Sequence, residues 1–147
     1  MPDIYTAKSI IEDRLRAAWT VTPQSALLSE NVRGFEPDAN IDENGNLLPF
    51  AILEIVGGNS MPYIGRPSNR LNRDDGIIQL HMMVPTGEGS ARLAAMFREA
   101  RAALANKVFS GVYTQGMSPD GGTAGSEDGS YYGTTAVTPF FYLYLDN

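Results

Sequence analysis

His81 is the one histidine in the chain, and there is no cysteine. Any triad or dyad built on an imidazole base would have to use His81, and thiolate nucleophiles, disulfides and Cys-ligated metals are excluded. Structural and catalytic zinc need three or four N, S or O ligands, which a single histidine without cysteine does not begin to supply. His81 falls in mid-strand opposite an aliphatic face, so it reads as a sheet residue turned to solvent or to a neighbouring subunit. Glu127 and Asp128 form a carboxylate pair, but in a glycine-rich stretch. Acid–base catalysis needs carboxylates held rigidly with their pKa values pushed apart. Asn40, Asp42, Asn44 and Gly45 have the rhythm of a calcium loop, yet position twelve counted from Asn40 is Ala51, and a strand pattern follows instead of a helix. Gly87-Glu-Gly89 lacks the third glycine and the lysine of a phosphate-binding loop, so it reads as a turn before a helix. No catalytic, cofactor-binding or metal-binding residues are expected.

The elements around these residues follow from periodicity. Ile4, Ala7, Ile11, Leu15 and Ala18 recur at helical spacing, with Ile10 and Trp19 widening the stripe. The first helix is therefore expected from Ile4 to Trp19, capped by Asp3, with Lys8–Glu12 and Glu12–Arg16 as i,i+4 pairs. Weak strand character runs from Ala26 to Val32. Residues 34–48 read as a polar loop, Phe50 to Val56 as a strand, and 59–75 as a long loop rich in turn formers. Ile77 to Val84 is the clearest strand, with Ile78, Leu80, Met82 and Val84 on one face and Ile77, Gln79, His81 and Met83 on the other. Leu93, Met96, Phe97, Ala100 and Leu104 mark a second helix, capped by Ser90 or Thr86 and ending near Asn106. Val108 to Gln115 reads as a strand, 116–129 as a mobile glycine-rich loop, and Tyr131 to Leu145 as a long final strand. The order α-β-β-β-α-β-β indicates an α+β fold: two helices on one face of a largely antiparallel sheet.

Composition narrows the function classes. The chain has 147 residues, which suits one domain spanning 1–147. A formal net charge of -6 argues against coating nucleic acid, which needs clustered Lys and Arg. No apolar run approaches the ~18 residues of a membrane span, and the N-terminus lacks the basic-then-apolar pattern of a signal peptide.

Two features stand out. In the final strand Val137, Pro139, Phe141, Leu143 and Leu145 point one way and Phe140, Tyr142 and Tyr144 the other. The aromatic row could cover a satellite core or form a subunit interface, where Tyr and Phe are enriched. Pro139 indicates an edge position. Charge is also segregated: Glu36, Asp38, Asp42 and Glu43 lie in one loop, and Arg66, Arg70 and Arg73 in another. These are either ordinary solvated loops or unlike patches that meet between copies and close a ring.

The segments taken in order resemble the phage tail-terminator-like (tail completion) family of siphophages and gene-transfer-agent particles. They are the opening helix IYTAKSIIEDRLRAAW, the strand and turn GIIQLHMMVPTGEG, and the Ala-rich helix ARLAAMFREARAALANK. VFSGVYTQGMSP, a glycine-rich variable stretch and the aromatic strand TAVTPFFYLYLDN complete the match, which covers most of the chain. The resemblance implies a structural virion protein, not an enzyme, with no cofactor. It implies a ring, generally a hexamer, assembled in the host bacterial cytoplasm on the last ring of the tail tube. Such a ring stops tube polymerisation and meets the head-side connector. Its partners would be further copies of itself, the tube protein and a connector or neck protein. A head–tail joining or head-completion protein is the alternative in the same setting; a small-ligand-binding α+β domain is the alternative outside it, and needs a rigid pocket with convergent polar groups.

Overall fold

The computed structural model describes all residues except 1, 21–25, 31–33, 68, 88–89, 126–128 and 147, and, within its elements, all side chains except those at 38, 120–125 and 146. The fold is α+β, with two α-helices and a seven-stranded sheet. Helix α1 (Ile4–Ala18) starts where its sequence says it should: the Asp3 carboxylate accepts from the N–H groups of Tyr5 and Thr6 at 3.0 and 3.1 Å, satisfying donors that the first turn leaves unpaired. It ends one residue earlier than expected, with Trp19 as an extended C-cap. Glu12–Arg16 forms at 3.0 Å, but Lys8 reaches Glu30 at 3.1 Å instead of Glu12.

Strands β1 (Ala26–Ser29), β2 (Phe50–Arg66) and β3 (Asn69–Pro85) come next. Between β1 and β2 a single 3-10 turn (Pro37–Ala39) and an Ile41–Leu47 bridge break up the expected loop. Helix α2 (Ala91–Leu104) follows β3. Ser90 holds its N-cap position without a side-chain bond, and the Thr86 hydroxyl goes instead to the Gly129 carbonyl at 2.5 Å. Asn106, at φ 53, takes the left-handed conformation that follows many helix ends.

After α2 the observed order departs from expectation, because four strands follow and not two: β4 (Val108–Phe109), β5 (Val112–Thr114), β6 (Ser118–Gly125) and β7 (Tyr131–Asp146). The stretch expected as one strand is a hairpin, because Ser110 and Gly111 both have positive φ (46° and 85°), as a two-residue turn matched to strand twist requires. The expected glycine-rich loop contributes β6, which pairs along β7 from Ser118↔Val137 to Gly125↔Tyr132. Ladder bonds are made by the backbone, so a segment with little side chain can still pair when a strand edge is offered.

The sheet order is β1-β2-β3-β7-β5-β4, with β6 also on β7. β1 joins β2 in parallel, and the other pairings are antiparallel. One sheet face forms a single core with both helices: Ala51, Leu53 and Ile55 of β2, Ile78, Leu80, Met82 and Val84 of β3, and Ala136, Phe140 and Tyr142 of β7 pack with Ala7, Ile11 and Leu15 of α1 and Leu93, Met96 and Ala100 of α2. Fully burying one of the Leu, Ile, Met, Val or Phe side chains among these stabilises by about 1.5–3 kcal/mol. Among the described helices none is long and apolar enough to cross a membrane.

Candidate interaction surface

Residues 59–75 depart furthest from the expected elements. They are not a loop: β2 and β3 continue through them as the two sides of an arm that runs out to Arg66 and Asn69. The turn formers are absorbed by register shifts between Gly57 and Ser60 and between Pro62 and Ile64. Among the described strands, β1 covers the far edge of β2 only from Phe50 to Leu53. Beyond that the edge is open, so Pro62, which has no N–H to donate, is tolerated there. From Gly57 outward every described β2 residue is exposed, including Met61 at 41%, Tyr63 at 57% and Ile64 at 66%.

The sheet face away from the helices is equally unusual. Directly paired residues share a face, so the register reads as rows across it. Ile64, Leu71 and Leu145 form the row nearest the arm's end; Met61, Arg73 and Leu143 the next; then Val56, Ile77 and Pro139. Phe141 lies between the last two rows, stacked flat on Tyr113 at 4.8 Å and 6°. Val56, Ile77 and Leu145 are 44%, 41% and 51% exposed. An antiparallel sheet facing water on one side ordinarily alternates apolar in and polar out. Here much of the outward set is apolar, with Arg73, Asp75 and His81 set among it.

Arg73 is built into this face. Its Nε donates to Asp75 Oδ1 at 2.8 Å, and its guanidinium lies 4.1 Å from the centre of the Phe141 ring. That leaves a charged group stacked and paired within an apolar row. Arg66 is exposed at the arm's end and Arg70 is half-buried beside it. On the acidic side, Glu36 and Glu43 are exposed, and the Asp42 carboxylate accepts from the N–H groups of Asn44 and Asn46, both at 2.9 Å, as a turn-forming aspartate does. The Asp38 side chain lies outside the described set. The Tyr131 hydroxyl, 3.0 Å from the Pro37 and Leu48 carbonyls, ties this segment to β7. Among the described residues the ion pairs do not join the acidic segment to the three arginines.

Of the two roles expected for the aromatic row of β7, a satellite core or a subunit interface, neither describes Phe140 and Tyr142, which face the helices in the main core. Phe140 and Tyr142 are 2% and 5% exposed and belong to the main core, with Tyr144 packed against it. The reason lies in β3. Gly76 sits opposite Phe140, and a Cβ there would stand 2.6 Å from the ring, so Phe140 fills the space of a missing side chain. Burial, aided by Asp3 and Asp74, raises the pKa of Tyr142 above the ordinary phenol value. Pro139 is not on an edge strand. It lies where β6 ends and β5 begins along β7, with its carbonyl accepting from Gln115 N–H at 2.9 Å.

His81 lies on the same open face and has partners that the sequence did not reveal. Its Nε2 is 2.9 Å from Glu54 Oε2 and its Nδ1 is 2.8 Å from Thr135 Oγ1. Alternation along β2 and β7 would have put all three on one side, but their register was not visible before pairing. The trio has the order of a nucleophile, base and orienter. At His81 and Thr135 the backbone belongs to strands paired on both edges. The arrangement pins three side chains together on a sheet surface. Among the described residues no group of three or more His, Cys, Asp or Glu is gathered to hold a metal. Glu127 and Asp128 lie outside the described residues.

No family model matches the chain, and no curated protein does. Solved structures do match: one whose name states no function aligns at TM-score 0.63 and 15% identity, covering 100% of this chain and 99% of its own. The likeness is one of fold.

Proposed function

We propose that the chain is a structural, non-enzymatic protein that assembles into a ring of tail-terminator type. Such a ring would cap a tail tube, stop its polymerisation and present a surface to the head-side connector. The observation that carries this reading is the apolar face of the sheet left uncovered by the helices and continued onto the arm. A surface of this kind is covered in assembly, and ring closure needs only that it meet an unlike patch on the next copy. The segment-by-segment resemblance supplies the setting: a virion tail, built in the bacterial cytoplasm, with the tube protein and a connector or neck protein as neighbours and a hexamer as the expected count. The test is electron microscopy of the purified protein alone and with tube protein. Rings, and tubes of arrested length ending in this protein, are expected. A monomer at high concentration that also fails to bind tube protein would overturn the reading.

A further inference from the structure

We infer that the end of the β2–β3 arm of one copy seats in the groove between α1 and α2 of a second copy. This rests on the ring-forming reading and names the contact that closes it. The arm's backbone edge is an unsuitable contact, because Pro62 and two register shifts interrupt it, the devices by which open edges avoid strand pairing. Its side chains are left to bind, and Tyr63 and Ile64 are its most exposed apolar groups.

Charge says what they meet. Residues 59–75 carry Arg66, Arg70 and Arg73 with two acids at the root, Asp74 and Asp75, and Asp75 pairs with Arg73 at 2.8 Å. The whole chain has 11 basic and 17 acidic residues, so without the arm's 3 and 2 there are 8 basic against 15 acidic. The outer arm, residues 60–72, carries Arg66 and Arg70 and no acid, so it is a basic, apolar projection of an acidic protein, and a second copy supplies the opposite charge.

The groove fits such an occupant. It has a volume of about 700 Å³ and is lined by Ile10, Ala17, Ala18 and Phe109, with Asp13 and Glu99 also on its walls, the Glu99 carboxylate accepting from the Thr20 N–H and hydroxyl. Four alanines across its two helices leave it room for large side chains. Arg14 also lines the groove, engaged with its walls: its Nε donates to the Ala103 carbonyl at 2.6 Å and its guanidinium lies over Phe109 at 4.4 Å. The groove lies along the C-terminal half of α1, whereas Gly57 at the root of the arm packs beside Ile4 at the other end of that helix. Knob and hole are thus separate patches on one chain, as a head-to-tail ring requires.

Cross-linking tests this without background, since the chain has no cysteine of its own. Ile64→Cys and Ala17→Cys change exposed residues. Under oxidation the double variant should give covalent species longer than dimers, a mixture of the two single variants should give dimers, and neither single variant alone should cross-link. Assembly by mass without cross-linking in the double variant would overturn the arm-and-groove contact and leave the ring standing. A monomer with no cross-link would remove both, and efficient dimers of Ile64→Cys alone would replace the contact with arm-to-arm pairing. A charge exchange gives an independent reading: Arg66→Glu should weaken assembly by about ten-fold, and adding Asp13→Arg should restore it. Unchanged assembly in Arg66→Glu, or no recovery in the double variant, counts against the contact.

Discussion

Ile77 and Ile78 are adjacent on β3 and identical in chemistry, yet one is 41% exposed and the other 0%. The same contrast runs the length of the sheet. On the helix side the apolar residues belong to one buried core. On the open side Val56, Ile77, Pro139 and Leu145 are exposed, and Phe141 is partly covered by Tyr113 and Arg73. Chemistry alone does not separate the two faces; position relative to the helices does. One face is buried under the helices of the folded chain, and much of the other stays exposed.

The comparison can be broken most forcefully at the buried side. Ile78→Ala should cost about 3 kcal/mol in chemical denaturation, the usual loss for a truncated core isoleucine. Ile77→Ala should cost less than about 1 kcal/mol in the same measurement. Equal losses would mean that the open face is as well packed as the core.

Gly76→Ala should fall between them, at about 2 kcal/mol, because the added methyl collides with Phe140 and with the Val56 carbonyl, 2.8 Å away. A thermal melt that did not move would show that Phe140 can leave its place, and would reopen the question of which face of β7 is buried.

That question shows where the sequence was informative and where it was silent. Both helices were legible because their apolar stripes repeat at 3.6 residues and Asp3 marks the first start. The two faces of Ile77 to Val84 were legible too, and burial follows the expected alternation. In β7 both faces are apolar, so alternation could not say which is inward; the deciding fact is the cross-strand pairing of Gly76 with Phe140. The arm was illegible because Gly57, Gly58, Pro62, Gly65 and Pro67 all read as turn formers, and only register shifts let a strand carry them. Of the candidate contact residues, the three arginines proved to share the arm, while two of the three aromatics proved to be core.

The smallest effect is a control on the helix side. Glu12 has its pKa lowered, first by the Ser29 hydroxyl and also by Arg16, against an opposing contribution from burial. A carboxylate favoured in the folded state stabilises above its ordinary pKa, and that contribution is lost as pH falls. Glu12→Gln should therefore be slightly less stable than the parent at neutral pH, with the gap closing on acidification. A gap that widened in acid would reverse the assignment.

The central claim, that the open face is reserved for assembly, is tested most directly by native mass measurement of the parent protein beside Ile77→Asp. The parent should sediment or fly as a closed multimer, alone or on tube protein, and the variant as a folded monomer with an unchanged melting temperature. Identical masses for the two proteins would contradict the claim.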